Sequence, residues 1–353
     1  MIKEVRLSSV RSHEFSRTEF SPETTLILGR NGAGKTTILE ATYYLLAGTS
    51  FRGRDRDMIA HASTRADLLL IDDNENERRA SLQLTSDDSV KKTFLYEGKT
   101  SARLPAKARL PVVMFEPDEL RRLSSSPERR RQFFDALLAR LYPQYHAVLN
   151  RYGRILLQRN SLLKRREELS EKSFEEQMFT WDIKFSESAE QIANLRRDFI
   201  VTANQRLSQL YSEIAGSPHS VTLSYLSVLS SDNYRQKLLN KLTTSHLADS
   251  YRGYTSVGPH RDDFGVYLDS HLSNEAASRG EMRSIMLAVK LLEVDLQKEL
   301  TTIPPLILLD DVLSELDAIR EQRLIAALNN YQTVITATDV RDSLQLRAKI
   351  IQL

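Results

Sequence analysis

Hydrophobic and polar positions alternate in the first hundred residues as expected for strands separated by a helix. Strand-like runs occur at 2–7, 24–28, 68–71 and 82–96, with charged turns between the last of them. The stretch 36–46 places Ile38, Ala41 and Leu45 on one helical face, and Gly48 follows as a helix stop. This part of the chain is therefore predicted to be α/β.

After Pro111 the apolar residues recur at helical spacing, from Phe133 to Leu156, with Pro143 expected to kink or divide the helix. A second helical stretch is predicted over 174–214, ending at the breaker run 215–218. A short strand at 221–226, a helix over 234–247 and a return of the α/β pattern complete the chain. We predict an α/β lobe (1–115 and 251–353) interrupted by a mostly helical second lobe (116–250).

Composition narrows the class without deciding the function. The chain has 353 residues, enough for about two domains, with 41% hydrophobic and 27% charged residues. The absence of cysteine excludes disulfides and thiolate zinc sites and favours a cytoplasmic location. No signal peptide or membrane span is expected. Because the net charge is only +2, any case for nucleic-acid binding must rest on local clusters.

The sequence "GRNGAGKTT" matches the phosphate-binding pattern G-x-x-x-x-G-K-[ST] after an apolar strand and before a helix. Its candidate nucleotide-binding residues are Gly29, Arg30, Asn31, Gly32, Ala33, Gly34, Lys35, Thr36 and Thr37. Backbone N–H groups and the helix N-terminus suit phosphates, Lys35 suits the β and γ phosphates, and Thr36 suits Mg²⁺. A glycine-rich helix cap is the alternative, which the strand and helix context disfavours.

The apolar strand Leu306 to Leu309 ends in Asp310 and Asp311, where ligands bind in open α/β sheets. Beside a phosphate loop this pair predicts a Walker B motif. Asp310 would hold Mg²⁺ through water, and Asp311 would orient or deprotonate the attacking water. The alternative is a hydrated acidic turn. Most of the chain separates Lys35 from Asp310, which again requires an inserted domain.

Just before that strand, Ser278, Arg279, Gly280 and Glu281 open a strongly apolar helix. ABC-type ATPases place there a signature, usually with glutamine last, that binds the γ-phosphate of ATP held by the other subunit. Glu281 in place of glutamine is expected to weaken ATP-driven closure. The same residues have capping-box spacing, so helix initiation alone remains an alternative. Ser314 to Asp317, "SELD", predicts a D-loop, with a helix start as its alternative.

With these motifs placed, the chain resembles the RecF family of bacterial recombination mediators, relatives of the structural-maintenance-of-chromosomes ATPases. The resemblance covers nearly the full length. It includes "ILEATYYLLAGTSFR", "VVMFEPDELRRLSSSPERRRQFFD", "GPHRDDF" and the double aspartate of "LLDDVLSELD". Thr338 in "VITATD" occupies the switch position, where transporters usually carry histidine.

The resemblance implies an ABC-type P-loop ATPase lobe with a helical second lobe, which dimerises around two ATP molecules with Mg²⁺. It also implies a weak, DNA-stimulated ATPase of recombinational repair and replication restart, cytoplasmic and nucleoid-associated. The implied DNA is gapped, a single-strand–duplex junction or duplex. The implied protein partners are RecR and RecO, with promotion of RecA loading.

Two basic clusters are candidate DNA contacts: Arg121, Arg122, Arg129, Arg130 and Arg131, and then Lys164, Arg165 and Arg166. The alternative is solvated helix surface paired with Glu128, Glu167 and Glu168. Sequence-specific recognition is not expected, because no helix-turn-helix or finger pattern occurs.

Other functions remain open at this point. One is an ATPase of another DNA-processing system, including a nuclease that binds metal through His260, Asp262 and Asp263. Acidic residues after Asp339 are confined to Asp342, which disfavours the nuclease. A transporter ATPase would need a switch histidine, whereas the last histidine is His271. For "GPHRDDF" we favour a rigid turn in which Arg261 pairs with its neighbouring aspartates. A role joining DNA contact to the ATP site is a hypothesis.

Overall fold

The computed structural model describes residues 1–119, 122–339 and 348–353. Arg121, a predicted DNA contact, and Asp342 lie outside the described residues. The chain divides into two compact units, Met1–Leu120 with Glu293–Leu353, and Arg121–Leu292.

The described residues form fourteen strands and nine α-helices. The strands are β1 (Ile2–Val10), β2 (His13–Glu19), β3 (Thr24–Leu28), β4 (Arg65–Asp72), β5 (Glu77–Leu84), β6 (Val90–Tyr96), β7 (Lys99–Ser101), β8 (Val112–Phe115), β9 (Val221–Leu226), β10 (Asp263–Leu268), β11 (His271–Leu272), β12 (Leu306–Asp310), β13 (Thr333–Ala337) and β14 (Ala348–Gln352). The helices are α1 (Lys35–Ala47), α2 (Pro127–Leu141), α3 (Pro143–Lys164), α4 (Glu171–Asn204), α5 (Leu207–Ala215), α6 (Tyr234–Arg252), α7 (Ser273–Ala276), α8 (Arg279–Thr301) and α9 (Ala318–Leu328).

A five-stranded parallel sheet organises the first unit, in the order β14-β3-β13-β12-β8. Every residue of β8 and β13 is buried, as expected for parallel strands covered on both faces. In the sheet register Leu28 lies beside Ala337, and Asp310 lies beside Thr336. The phosphate loop and the paired aspartates therefore follow the carboxyl ends of strands at the same edge.

An antiparallel sheet of order β2-β1-β4-β5-β6-β7 completes this unit. Strand β4 buries Ala66, Leu68 and Leu70 in alternation. These residues belong to the same core cluster as residues of α1, where Tyr44 stacks on Phe94. Gly48 ends α1 with φ +82, which confirms the predicted helix stop. The core thus holds α1, and with it the phosphate loop, firmly in place.

The second unit is mostly helical. Helices α2 and α3 are separated at Tyr142, so Pro143 divides the predicted helix rather than kinking it. Helix α4 spans 34 residues and is separated from α5 by Gln205 and Arg206. A small antiparallel sheet, β11-β10-β9, accompanies the helices.

The unit boundaries differ from the predicted segments. Residues up to Leu292 group with the helical unit, whereas the prediction returned the chain to the first lobe at 251. The reason is strand pairing, because β10 lies antiparallel to β9 over its full length, from Asp263 beside Leu226 to Leu268 beside Val221. Among the described residues, no helix is long and apolar enough to cross a membrane.

Candidate nucleotide site and the buried network of the helical unit

The phosphate loop between β3 and α1 takes a conformation that requires glycine. Gly32 and Gly34 have φ angles of +86 and +93, in the left-handed region. A Cβ at Gly34 would lie 2.1 Å from Nε2 of His13, whereas one at Gly32 would meet no atom of the described residues within 4 Å. Nε2 of His13 also lies 3.1 Å from the carbonyl oxygen of Gly34. His13 therefore packs directly against the loop, a contact that the sequence did not predict.

Lys35 folds back over the loop. Its Nζ donates hydrogen bonds to the carbonyl oxygens of Gly29 at 2.6 Å and Arg30 at 3.1 Å, and the residue is buried. These bonds hold the ammonium group against the loop that is predicted to bind phosphates.

A chain of hydrogen bonds joins the loop to the paired aspartates. Oγ1 of Thr36 donates to Oδ1 of Asp310 at 2.9 Å, and Oγ1 of Thr336 donates to the same oxygen at 2.8 Å. The backbone N–H of Asp311 donates to Oγ1 of Thr336 at 3.0 Å. Thr336 thereby positions both aspartates. Its hydroxyl, one of two threonine hydroxyls in the buried strand "TVITA", was the only sequence signal.

The residues after Asp310 form a tight turn. Asp311 has φ +52, and its carbonyl oxygen accepts a hydrogen bond of 2.6 Å from Ser314. Asp317 caps α9 by accepting from the backbone N–H of Arg320 at 2.9 Å, so the helix-start alternative for this residue is realised. Thr338 follows β13 and donates to Asp339 at 3.3 Å.

A buried carboxylate on α1 organises two arginines. Glu40 is 0% exposed and accepts from Nε and Nη2 of Arg11 at 2.5 and 2.7 Å, from Nε of Arg52 at 2.9 Å and from Ser50 at 2.6 Å. Burial alone would raise the pKa of Glu40. The hydrogen bonds from Arg11 and Ser50, with the nearby guanidinium charges, outweigh burial and lower it. No sequence motif marks this cluster, because its members are dispersed along the chain.

These groups converge on one cleft of about 520 Å³. Its lining residues are Arg11, Ser12, Asn31, Gly32, Gly34, Lys35, Thr36, Thr37, Arg52, Pro117, Asp310 and Asp311. The cleft combines cations and glycine backbone suited to phosphates with the hydroxyl and carboxylate oxygens that Mg²⁺ prefers. The residues present therefore fit a magnesium–nucleotide ligand.

The predicted signature residues begin α8, in a capping box. The backbone N–H of Ser278 donates to Oε2 of Glu281 at 2.7 Å, and the N–H of Glu281 donates to Oγ of Ser278 at 3.3 Å. The carboxylate of Glu281 is thus directed at the helix start. Ser278 and Glu281 therefore form the capping box. Contact between these residues and the nucleotide of a second subunit stays a prediction.

The "GPHRDDF" turn is fixed by buried contacts within the helical unit. His260 Nδ1 lies 2.6 Å from the hydroxyl of Tyr152, and Nε2 lies 2.9 Å from the carbonyl oxygen of Thr255. Burial, with nearby arginines, lowers the pKa of His260 to about 4 despite the hydrogen bond to Thr255. Gly258 has φ +126, and a Cβ there would lie 3.1 Å from both Tyr152 and Phe185. Packing within this turn therefore accounts for both the histidine at position 260 and the glycine at position 258.

The charges of this turn are paired differently from the prediction. Asp263 forms an ion pair with Arg130, and Oδ2 of Asp262 accepts from the hydroxyl of Tyr225 at 2.6 Å. Arg261 instead lies over the ring of Tyr254, with 4.6 Å from Cζ to the ring centroid. The expectation that Arg261 pairs with its own neighbours is corrected, because the aspartates point to other elements. The three proposed nuclease ligands each have separate protein partners, and no metal-binding group of three or more His, Asp or Glu occurs among the described residues.

The predicted DNA contacts have unequal environments. Arg130 is buried in its ion pair with Asp263, and Arg131 donates to the carbonyl oxygen of Asp262 at 2.8 Å. Arg130 is therefore structural, which corrects its prediction as a DNA contact. Arg129 is exposed and Arg122 half-buried. In the second cluster Lys164 is exposed, Arg165 pairs with Glu168 at 2.7 Å, and Arg166 lies over Phe174.

Comparison with known proteins identifies a matching family and similar proteins. The AAA domain family matches residues 4–246. The DNA replication and repair protein RecF of Clostridium perfringens is 30% identical over 97% of this chain and 94% of its own length. RecF of Streptococcus agalactiae is 31% identical over 96% of this chain and 92% of its own.

Solved structures agree with the sequence relatives. The recombination mediator protein RecF-ATPrS of the RecFOR pathway superposes with a TM-score of 0.85 at 27% identity, covering 100% of this chain and 96% of its own. RecF-ATP of that pathway gives 0.82 at 28%, covering 97% and 92%. An SMC head bound to the winged-helix domain of ScpA gives 0.54 at 16%, covering 99% and 93%, and shows the fold alone. The predicted α/β fold of ABC-type ATPase heads is confirmed.

Proposed function

This chain belongs to the RecF family of DNA replication and repair proteins, and from that premise we propose that it is a weak ATPase that switches DNA binding. ATP-bound dimers would hold gapped DNA, single-strand–duplex junctions or duplex, and ATP hydrolysis would release them. One of the similar solved structures is named RecF-ATP, which supports nucleotide binding by the matching residues of this chain.

The observation that carries the proposal is the hydrogen bond of 2.9 Å between Thr36 and Asp310. It joins the phosphate loop to the Walker B strand with the pair of oxygens that would hold Mg²⁺, directly from Thr36 and through water from Asp310. Bound Mg²⁺ would neutralise developing phosphate charge. Lys35 would bind the β and γ phosphates, and Asp311 would orient or deprotonate the attacking water.

The proposed roles of the signature, D-loop, switch and DNA-contact residues rest on the resemblance to the RecF family. Ser278, which immediately precedes α8, would contact the nucleotide of a second subunit. The D-loop, Ser314 to Asp317, and Thr338 would complete the dimer switch. Because Glu281 places a carboxylate near that γ-phosphate, dimers are expected to be weaker than with glutamine. Arg122, Arg129 and Arg131 with the run 164–166 remain the candidate DNA contacts.

RecR and RecO are proposed partners, and promotion of RecA loading is the proposed outcome. The name RecFOR pathway in the solved relatives supports this assignment. We also propose that the protein acts in the cytoplasm, at the nucleoid.

The test compares the wild type with Lys35→Met. ATP hydrolysis, and binding to gapped, single-stranded and duplex DNA, would be measured with and without ATP. The proposal expects ATP-dependent DNA binding that Lys35→Met abolishes. Lys107→Met, at an exposed lysine outside the cleft, is the matched control. DNA binding that ignores ATP, or no binding to any of these DNAs, would overturn the proposal.

A further inference from the structure

A groove between two helices of the second unit has no role in the nucleotide site. It lies between the N-terminal part of α4 and the C-terminal part of α6, with Leu163 of α3 and Phe174 of α4 also lining it. Its volume is about 870 Å³. We refer to it as the α4–α6 groove.

Large apolar side chains on this groove are exposed to water. Phe179 of α4 is 58% exposed, and Leu247 and Tyr251 of α6 are 52% and 83% exposed. Leu247 and Tyr251 are four residues apart, so they share one face of α6. Beneath them Leu163 and Phe174 belong to a small buried core with Met178. The groove therefore combines a rigid floor with three exposed apolar anchors, which is typical of binding surfaces.

Unpaired carboxylates line the same groove. Glu167, Glu171 and Glu175 are exposed lining residues, and within the described part of the chain none of them makes a side-chain hydrogen bond or ion pair. Glu171, Glu175 and Phe179 follow one another at intervals of four residues, so they lie on the same face of α4. Two cations, Lys164 and Arg166, also line the groove, and Arg166 lies over the ring of Phe174. The lining thus has three carboxylates and two cations, so its net charge favours a basic segment.

We propose that the α4–α6 groove docks an amphipathic, basic helical segment of a partner protein. The apolar face of that segment would pack on Phe179, Leu247 and Tyr251. Its lysines and arginines would pair with Glu167, Glu171 and Glu175, which have no ionic partner among the described residues. A helix fits because both walls are helices, and an amphipathic helix in an apolar groove is a recurring recognition mode.

The test starts from a phage-displayed library of random peptides selected on the full-length protein without ATP or DNA. The selected peptides would be synthesised with a fluorescent label, and their affinity measured by anisotropy. We expect enrichment of peptides that combine apolar and basic residues. Phe179→Ser with Leu247→Ser, and separately Glu171→Lys with Glu175→Lys, should each weaken binding at least about tenfold.

Matched controls come from the same unit. Leu157→Ser changes a leucine outside the groove that is more exposed than Leu247, and Glu213→Lys reverses an exposed charge elsewhere. Both should leave peptide affinity unchanged. Selected peptides without basic residues, or peptides that bind all variants equally, would overturn the proposal.

Two further measurements distinguish other occupants. If a labelled single-stranded oligonucleotide bound the wild type and lost affinity in Phe179→Ser with Leu247→Ser, the groove would be a DNA site and the proposal wrong. If sedimentation showed self-association that the same variant abolished, a second copy would be the occupant, which also contradicts it. Lys35→Met should bind the peptide normally, so failure here is separate from failure of the ATP switch.

Discussion

Thr36 and Asp310 are hydrogen-bonded at 2.9 Å although 274 positions separate them in the chain. The bond exists because β3 and β12 both flank β13 in the parallel sheet, so the residues that follow them meet at one edge. The helical unit is inserted between the two motifs without disturbing their contact. This geometry makes both residues directly testable.

Asp310→Asn is expected to reduce Mg²⁺-dependent ATP hydrolysis by about 10–100-fold, the usual effect of removing a group that acts on a metal through an intervening ligand. The amide still accepts from Thr36 and Thr336, so folding should persist. Titrating Mg²⁺ in a steady-state ATPase assay checks this, and the variant should require a higher Mg²⁺ concentration. Asp87→Asn, at an exposed turn, is the control. An unchanged Mg²⁺ dependence would remove Asp310 from the metal site.

The two left-handed glycines of the loop should respond differently to alanine. Gly32→Ala adds backbone strain of about 1–2 kcal/mol and no clash, because no atom in the described part of the chain lies within 4 Å of the added Cβ. Gly34→Ala adds the same strain and a clash with His13, so it should weaken nucleotide affinity much further. Binding of a fluorescent ATP analogue would compare the two. Adding His13→Ala to Gly34→Ala should recover part of the loss, and equal effects of both glycine substitutions would contradict the steric argument.

Sequence alone predicted the motifs of the nucleotide site because each is contiguous, and the strand 306–309 because an unbroken apolar run before Asp310 has few other interpretations. Thr336, His13 and Glu40 were not predicted, since their roles depend on contacts made only in the folded chain. Arg130 was misassigned for the same reason. Its half-buried partner Asp263 lies 133 positions away. The boundary near 251 was placed too early, because the pairing of β9 with β10 is long-range.

Glu40→Gln should destabilise the protein by up to about 3 kcal/mol, because it leaves Arg11 and Arg52 without their buried counter-charge. The pKa of Glu40 is lowered in the folded state, so its contribution is present above its unfolded pKa and is lost as pH falls through the folded pKa. Urea denaturation at pH 7 and at progressively lower pH measures both effects. The gap between wild type and variant should narrow on acidification, whereas a constant gap would contradict the electrostatic account.

His260 gives the helical unit a distinct pH dependence. Its pKa is lowered to about 4 in the folded state, while an unfolded histidine titrates near its ordinary value of 6.5. Between these values the unfolded chain binds a proton that the folded chain refuses. Stability is therefore fully present above pH 6.5 and falls as pH decreases toward 4, by up to about 1.4 kcal/mol per pH unit.

His260→Asn should remove this slope, because asparagine does not titrate and can still bond to Tyr152. Melting temperatures from pH 7 to pH 4 would be compared for wild type and variant, and the wild type should lose more. Asp262, whose pKa burial raises, opposes the trend but is present in both proteins, so the difference isolates His260. His61→Asn, at an exposed turn, is the control. Parallel curves for wild type and His260→Asn would show that folding does not lower the pKa of His260 and would contradict the effect of burial.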